Sequence, residues 1–312
     1  MKKATQTSQY NKLLIMKVFR KIKIHIPKHF SFNETLSFLD RGFDECLYNL
    51  TNKTVSKLID LSDGKGIIKV YQNGANLEVE LQKGKISEYN LQETIGYVTE
   101  WFDLNRNIEP FYKLLENNLL LSNLAIKYSG SRIISIPNLF EAICWAIIGQ
   151  QINLTFAYKL KRLLVEKYGE KEIVDNQTYL SFPKPEMLAK ANRKDLVEMK
   201  FSRQKIDYLM NISNTFIDNQ ISKDILFACK NKDERIEKLT AIKGIGIWSA
   251  NYVLMKSIRD LSCITYGDSG LNKAIYTIFK TEKKPSKDAI DIIFKDFKNW
   301  ESYLNFYLWK SL

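Results

Sequence analysis

The amino-acid sequence predicts a mainly α-helical protein with an N-terminal α+β domain. Two features of its hydrophobic patterning support this fold class. Between positions 21 and 104, apolar and polar residues alternate in short segments, as they do in half-buried strands. After Leu104 the apolar residues recur about every 3.6 positions, which is typical of amphipathic helices. The 312 residues, 45% of them hydrophobic, are enough for two or three domains.

The α+β domain is predicted at residues 21–104. Its first strand is the sequence IKIHI at positions 22–26, where apolar residues alternate with polar ones. Apolar residues at helical spacing indicate a short helix over residues 33–39. This part of the sequence is therefore typical of a sheet covered by a helix.

A predicted β-hairpin is the strongest local signal in this domain. Asn73-Gly74 is typical of a two-residue type I′ turn. The turn would join residues 67–71 to residues 77–81, where apolar side chains alternate with glutamates. We therefore expect a small antiparallel sheet.

Residues 105–312 are predicted to form a helical region that carries the functional cleft. Prolines fall between its apolar-periodic segments, and no repeat interrupts them. The predicted helices span residues 138–149, 154–168, 194–199, 203–217, 235–241, 248–258, 269–279 and 287–310, the last one broken near Asn299.

The chain is basic, with 47 Lys and Arg against 35 Asp and Glu, a formal net charge of +12. This excess favours a polyanionic partner such as nucleic acid, although lysine-rich surfaces also serve solubility alone. Residues 1–20 are predicted to form a flexible basic arm. No apolar run approaches the ~20 residues that span a bilayer. We therefore expect a cytoplasmic protein, nucleoid-associated in a bacterium, with no membrane partner.

The sequence contains few residues that could bind a metal ion or act in histidine-based catalysis. The four cysteines are far apart and lack the paired spacing of zinc or iron–sulfur sites. Only two histidines are present, and no HExxH motif occurs. We expect no side-chain metal site, so the chemistry must come from carboxylates, amides or the backbone.

Residues 239–255 have the sequence LTAIKGIGIWSANYVLM, and the segment 239–258 is predicted to form two helices joined by a tight turn. Gly244 and Gly246 allow the turn and a close approach of a partner to the backbone. Free N–H groups at the start of the next helix, as far as Ser249, would point towards an anion. A glycine turn alone is usually a simple connector, but the whole run matches the pattern of a helix-hairpin-helix.

With these residues the chain resembles the helix-hairpin-helix (HhH-GPD) DNA glycosylases, and among them the DNA-3-methyladenine glycosylase II (AlkA-like) type. The run WSANY is similar to the WTANY of that family. Three further segments, AIIGQQIN, FPKPEMLA and NWESY, resemble its AILGQxxS, FPTP and PWRSY sequences. The resemblance covers the chain from about Pro27 to its end. It implies helix-hairpin-helix glycosylase helical domains behind the small sheet domain.

The resemblance implies a monofunctional glycosylase that excises alkylated purines, of the 3-methyladenine and 7-methylguanine type, in base excision repair. The enzyme would flip the damaged base out of double-stranded DNA and hydrolyse its N-glycosidic bond. It would act as a monomer and require no cofactor, although a monovalent cation could lie at the hairpin. Two alternatives stay open. One is an inactive helix-hairpin-helix protein that binds DNA or recognises damage, and the other is a glycosylase for deaminated bases.

Asp268 is the predicted catalytic residue. It lies in the sequence GDSGLNKAI, which is similar to the Asp-x-Gly-Leu-x-Lys of the family, where the aspartate is essential. From the residues alone, Asp268 is an N-cap of the helix at 269–279. The two interpretations are compatible, because a helix N-terminus stabilises a carboxylate that faces positive charge on a sugar.

The resemblance also predicts the absence of lyase activity. Bifunctional members of the superfamily carry a nucleophilic lysine on the second hairpin helix, where an amine forms a Schiff base with the sugar. The matching position here is Trp248, and neither Lys243 nor Lys256 occupies it. The predicted reaction is therefore simple hydrolysis.

The remaining predicted site residues contact the base or the DNA. Gln151 matches the residue that fills the gap left by the flipped base, and it replaces a leucine there; Gln150 precedes it as a further DNA contact. Two departures from the family pattern, Tyr266 and Ser269 beside the aspartate, affect the shape of the pocket and the substrate range. The predicted aromatic walls of the pocket are Trp248, Tyr252, Trp300 and Phe38.

Overall fold

A computed structural model describes residues 21–51, 53–281 and 283–312. The predicted basic arm at residues 1–20 lies outside the described residues. Five antiparallel strands form one sheet in the order β1-β5-β4-β3-β2. The strands are β1 (Lys21–His25), β2 (Asn49–Thr51), β3 (Thr54–Leu61), β4 (Gly64–Asn73) and β5 (Asn76–Lys83).

The hairpin between β4 and β5 has a different turn from the predicted one. Asn73 pairs with Asn76, so Gly74 and Ala75 are the turn residues. Gly74 has a positive φ of 57°, whereas Ala75 is not among the residues of positive φ. A glycine with positive φ at the first turn position is typical of type II′, so the predicted type I′ turn at Asn73-Gly74 was wrong by one residue.

A helix covers the sheet, as predicted. This helix, α1 (Phe32–Leu39), begins at Ser31, whose hydroxyl accepts a hydrogen bond from the Glu34 N–H. Its buried Phe32 and Leu39 pack against apolar strand residues. A second helix, α2 (Glu88–Trp101), follows the sheet and adds Trp101 to the same core.

Helices dominate the rest of the chain, which confirms the predicted fold class. A single turn of π-helix at Leu254–Ile258 directly follows the helix Ile247–Val253, and a 3₁₀ turn at Lys295–Phe297 interrupts the C-terminal helices near the predicted break. The helices are α3 (Glu109–Glu116), α4 (Ser122–Lys127), α5 (Leu139–Ile148), α6 (Leu154–Tyr168), α7 (Pro185–Ala189), α8 (Arg193–Glu198), α9 (Arg203–Ile217), α10 (Lys223–Phe227), α11 (Lys232–Thr240), α12 (Ile247–Val253), α13 (Ser269–Phe279), α14 (Lys287–Phe294) and α15 (Glu301–Lys310).

The prediction that this region is entirely helical was wrong at one place. Strands β6 (Lys171–Val174) and β7 (Gln177–Leu180) form an antiparallel hairpin. Its turn residues, Asp175 and Asn176, have φ values of 49° and 60°, as a type I′ turn requires. Tyr179 packs against buried residues of the N-terminal sheet, so tertiary contact supports strands that are too short to be stable alone.

The central helix of the α-helical core is α5. Eight of its ten residues are buried, and it packs against α6, α9 and α12. Because α12 is the second helix of the predicted hairpin and α6 follows the predicted wedge, α5 holds both parts of the site in one core.

A buried arginine joins the two parts of the chain. Arg132 is 1% exposed, and its guanidinium donates hydrogen bonds to the carbonyl oxygens of Lys28, His29, Asp103 and Arg106. These carbonyls belong to segments on both sides of α2. The arginine therefore fixes the N-terminal sheet against the helical core, so side chains of both can meet at one site.

Two absences hold for the residues that the structure describes. None of their helices is long and apolar enough to cross a membrane. No group of three or more His, Cys, Asp or Glu side chains among them is placed to hold a metal ion. All four cysteines are buried and free.

Candidate active site

The helix-hairpin-helix forms as the sequence predicts, with α11 and α12 joined by a turn that contains both glycines. Gly244 has a φ of 103°, and a Cβ at this position would lie 2.4 Å from Cγ of Tyr208. Only glycine fits there. Gly246 begins α12 with an ordinary φ of −92°, and a Cβ on it would have no neighbour within 4 Å. One glycine therefore packs the turn against α9, and the other leaves its outer surface open.

The side chains of Gln150 and Ser249 support the hairpin from inside. Gln150 Nε2 donates to the Gly244 carbonyl oxygen at 2.8 Å and to Ser249 Oγ at 3.1 Å. Ser249 is only 3% exposed. Its hydroxyl is therefore held inside the protein, and its backbone N–H, in the first turn of α12, has no acceptor within the helix.

Gln151 is the exposed tip of the loop between α5 and α6. It adopts a left-handed φ of 57°. The loop borders a cleft of about 330 Å³ between the hairpin and the start of α9. The cleft is lined by residues 244–246 and by six residues with polar side chains, which are Gln150, Gln151, Ser202, Gln204, Lys205 and Tyr208.

Asp268 begins α13 and is bound by three N–H groups. Its Oδ1 accepts hydrogen bonds from the Leu271 backbone N–H at 2.8 Å and from Trp309 Nε1 at 2.8 Å. Its Oδ2 accepts from Trp248 Nε1 at 3.2 Å. Gly267, with a φ of 83°, turns the chain just before it. These donors fix the orientation of the carboxylate.

Aromatic rings surround this carboxylate. Trp248 and Tyr252 are stacked, with ring centroids 5.4 Å apart and an interplanar angle of 19°. The Trp309 ring lies 6.2 Å from Tyr252. The Tyr252 hydroxyl accepts a hydrogen bond from Trp145 Nε1 at 2.9 Å, and burial raises the pKa of that hydroxyl. Asp268 thus lies beside an apolar, electron-rich wall, which we call the aromatic wall and define as Trp145, Trp248, Tyr252 and Trp309.

Comparison with protein families agrees with this geometry. The model of the HhH-GPD superfamily base excision DNA repair proteins matches residues 144–299, which is half of the chain. The model of the 8-oxoguanine DNA glycosylase N-terminal domain matches residues 23–143. The chain belongs to the HhH-GPD superfamily.

Individual relatives agree with this assignment. The chain is 35% identical to a DNA-3-methyladenine glycosylase of Bacillus subtilis over 93% of its own length and 97% of the relative. A 3-methyladenine DNA glycosylase from Archaeoglobus fulgidus has a TM-score of 0.80 at 21% identity, with 93% of this chain and 97% of that chain covered. Within the superfamily the chain is therefore of the DNA-3-methyladenine glycosylase, AlkA-like type.

A further similar structure belongs to an enzyme with a different activity. It is an 8-oxoguanine glycosylase/lyase of Clostridium acetobutylicum in complex with double-stranded DNA. The TM-score is 0.67 at 18% identity, and the match covers 86% of this chain and 98% of that chain. This similarity shows a shared fold only, so the site itself must indicate the reaction of this HhH-GPD protein.

The structure does not bring Trp300 to the aspartate of this HhH-GPD protein. Trp300 lies at the start of α15, where its ring packs against Phe111 at 6.0 Å and Tyr303 at 5.6 Å. Trp309 is nine residues further along, or about 13 Å along a helix axis. Trp309, which the sequence interpretation missed, is the tryptophan of this segment that donates a hydrogen bond to Asp268. Nearly all of α15 is buried, so apolar periodicity did not distinguish the two residues.

Phe38 brings the N-terminal domain to the site. Its ring packs on Phe306 at 5.0 Å and lies 4.2 Å from the guanidinium carbon of Arg41. A guanidinium nitrogen of Arg41 donates to the Tyr158 hydroxyl at 3.3 Å, and the Tyr158 ring lies 4.7 Å from Trp145. Phe38 is thus joined to the aromatic wall through Arg41 and Tyr158 rather than by direct stacking.

The two lysines near the hairpin have different surroundings. Lys243 is exposed. Lys256, in the π-helical turn after α12, is 6% exposed and its Nζ donates to the Ile134 carbonyl oxygen. Burial lowers the pKa of Lys256 to about 7. Trp248, which the family resemblance matches to the lysine of the lyase members, donates to Asp268.

Proposed function

We propose that this protein is a monofunctional DNA glycosylase that removes alkylated purines of the 3-methyladenine and 7-methylguanine type from double-stranded DNA. The observation that carries the proposal is the Asp268 carboxylate, held by the indole N–H groups of Trp248 and Trp309 beside an aromatic wall. An inactive DNA-binding protein would have no need for a carboxylate bound in this way.

The proposed reaction is hydrolysis at C1′ of the sugar. As the bond between C1′ and the base nitrogen breaks, its electron pair leaves with the base and positive charge develops on the sugar. Asp268 stabilises this charge electrostatically, because its three donors fix the carboxylate before the reaction begins. A water oxygen then bonds to C1′ and loses a proton, which leaves an abasic site and an intact strand.

The aromatic wall supplies the proposed recognition of the base. A flipped base that reaches Asp268 with its sugar would lie against the faces of Trp248, Tyr252 and Trp309. N3- or N7-alkylated purines carry a positive charge, and a cation over an aromatic face gains about 0.5–2 kcal/mol. Their glycosidic bond is already weakened. The site therefore suits charged lesions without a general acid for the leaving base.

The hairpin and the loop at Gln151 supply the proposed contacts with DNA. The free N–H groups at the start of α12 point to a phosphate, and exposed Gly246 lets the DNA backbone approach them. Gln151 would enter the gap left by the flipped base, which lowers the cost of about a few kcal/mol for unstacking. These contacts with the DNA backbone do not depend on the base sequence, which suits an enzyme that must search all DNA.

The hairpin carbonyls suit a monovalent cation, although the proposed reaction requires no cofactor. The Ile242 oxygen accepts one hydrogen bond, from the Ile245 N–H at 3.0 Å, and the Gly244 oxygen accepts one from Gln150 Nε2. A carbonyl oxygen has two lone pairs. One lone pair of each oxygen is therefore left to hold a cation between the hairpin and a phosphate.

The two hairpin glycines predict different effects of a methyl group. Gly244→Ala should lower the free energy of unfolding by about 1–3 kcal/mol, because its φ is unfavourable for alanine and its Cβ meets Tyr208. Gly246→Ala should fold normally but weaken DNA binding, since its Cβ would lie where the phosphate approaches. Thermal unfolding and fluorescence anisotropy with duplex DNA measure the two effects. Wild-type DNA affinity of Gly246→Ala would exclude the hairpin as the phosphate site.

A second expectation is strand integrity. Because Trp248 matches the position of the lyase lysine and Lys256 Nζ is buried against a carbonyl, we expect no amine to attack C1′. Reaction with methylated duplex should give alkali-labile abasic sites without immediate nicks, and borohydride should trap no protein–DNA adduct. If an adduct forms, Lys243→Met and Lys256→Met would identify the amine, and the monofunctional assignment would be wrong.

The proposed function is tested by incubating the protein with methylated duplex DNA and analysing the released bases by chromatography. Release of 3-methyladenine and 7-methylguanine, with one abasic site for each base, supports it. Binding of the DNA without release of any base would contradict it and favour the inactive damage-binding alternative.

A further inference from the structure

A cation from the N-terminal domain, Arg41, is connected to the aromatic wall through Tyr158. Arg41 follows α1, is exposed, and lies between two rings, with its guanidinium carbon 4.2 Å from the Phe38 centroid and 5.4 Å from the Phe43 centroid. One nitrogen donates to the Tyr158 hydroxyl. Among the described residues the guanidinium has no carboxylate partner. Since a guanidinium has five N–H donors, most of them are left for a ligand.

The loop that carries Arg41 is held in place. Glu45 Oε1 accepts hydrogen bonds from the N–H groups of Cys46 and Leu47 at 2.8 Å and 2.9 Å, and Oε2 binds Lys161 Nζ of α6 at 2.5 Å. Lys161 is 5% exposed. This buried ion pair ties the loop to the helix that also presents Tyr158. Arg41 is therefore presented by a fixed backbone.

Arg41 is close to the aromatic wall, because it donates a hydrogen bond to the Tyr158 hydroxyl and the Tyr158 ring lies 4.7 Å from that of Trp145. Burial raises the pKa of Tyr252, and the positive charge of Arg41 acts on it in the opposite direction. Tyr252 stacks on Trp248, whose Nε1 donates to Asp268. The wall thus has a negative group at one end, beside the sugar position, and a positive group at the other, where the far edge of a stacked base would lie.

We propose that Arg41 is a specificity-determining residue that donates a hydrogen bond to an oxygen or nitrogen acceptor on the far edge of the flipped base. This inference rests on the proposed function and deepens it. When a neutral base leaves, the electron pair of the broken bond places negative charge on that base, and a guanidinium stabilises this charge. When a cationic base leaves, it becomes neutral and needs no such donor. Arg41 therefore extends the substrate range from cationic lesions to neutral 6-oxopurines.

The test compares hypoxanthine, a neutral 6-oxopurine, with 3-methyladenine, a cationic base without a carbonyl. Single-turnover release of each is measured for wild type, Arg41→Met, Arg41→Lys and Lys159→Met. The last variant is the control, because it removes an exposed charge next to Tyr158 on α6. Arg41→Met should slow hypoxanthine release by about 10–100-fold, the size expected for the loss of one hydrogen bond to a charged group. It should change 3-methyladenine release by less than about 3-fold, because 3-methyladenine leaves as a neutral base.

The other variants and bases complete the test. Arg41→Lys should recover part of the hypoxanthine activity, since it restores the charge without the planar fork. Equal slowing of both bases by Arg41→Met would show a merely structural role and overturn the proposal. Unchanged hypoxanthine release in Arg41→Met, or a wild type that releases 3-methyladenine but no hypoxanthine, would overturn it as well. Release of neither base by the wild type would instead refute the proposed function itself.

Discussion

Asp268→Asn should abolish nearly all base release while the protein still folds and binds DNA. Asparagine is as good an N-cap as aspartate, so α13 should persist. The substitution removes the negative charge that faces the sugar, and the loss of one such preorganised electrostatic group costs about 10²–10³-fold in rate. We expect a decrease of at least this size in single-turnover release of 3-methyladenine.

The hydrogen bonds of Asp268 make this test specific. In Asp268→Asn one oxygen can still accept from the Leu271 N–H, but the amide nitrogen would face an indole N–H, which is also a donor. Circular dichroism and thermal unfolding therefore accompany the assay. Duplex affinity should be unchanged or higher, because a carboxylate near the phosphates is removed. Near wild-type turnover of a folded Asp268→Asn protein would remove the residue from the mechanism.

Trp309 should matter far more than Trp300. Trp309→Ala removes both a ring of the aromatic wall and a hydrogen bond to Asp268, so we expect base release to fall by about 10²-fold or more. Trp309→Phe keeps a ring but loses the N–H, so its rate of base release should lie between those of Trp309→Ala and wild type. The main effect should be on the rate of the chemical step, with little change in DNA affinity.

Trp300→Phe is the matched control for this prediction. It makes the same chemical change in the same helix, but the ring lies against Phe111 and Tyr303, away from Asp268. Release of 3-methyladenine should stay within about 3-fold of wild type, because the lost indole donates no hydrogen bond to the carboxylate. A larger loss of 3-methyladenine release in Trp300→Phe than in Trp309→Phe would show that Trp300, rather than Trp309, forms the wall of the pocket.

Local features of the fold and site were predictable from the sequence. The helix at residues 203–217 and the N-cap at Asp268 follow from apolar spacing and capping chemistry within one segment. The hairpin glycines also act locally, since the turn conformation itself requires Gly244. In each case the deciding interaction lies within about ten residues of the chain.

Features that depend on distant contacts were not predictable in this way. The strands β6 and β7 are stabilised by packing on the N-terminal sheet, which their own sequence does not reveal. Gln150 is turned inward by acceptors on a hairpin about a hundred positions away. The hydrogen bonds from Trp309 to Asp268 and from Arg41 to Tyr158 likewise join residues 41 and 117 positions apart in the sequence.

The most direct test of the central claim is a comparison of lesions in matched duplexes. Single-turnover release of 3-methyladenine and 7-methylguanine is measured beside release of uracil, hypoxanthine and 8-oxoguanine. A site with an aromatic wall, a fixed carboxylate and no general acid for the base should release the two cationic purines fastest. A neutral base as the best substrate would contradict the proposal that this site selects alkylated, positively charged purines.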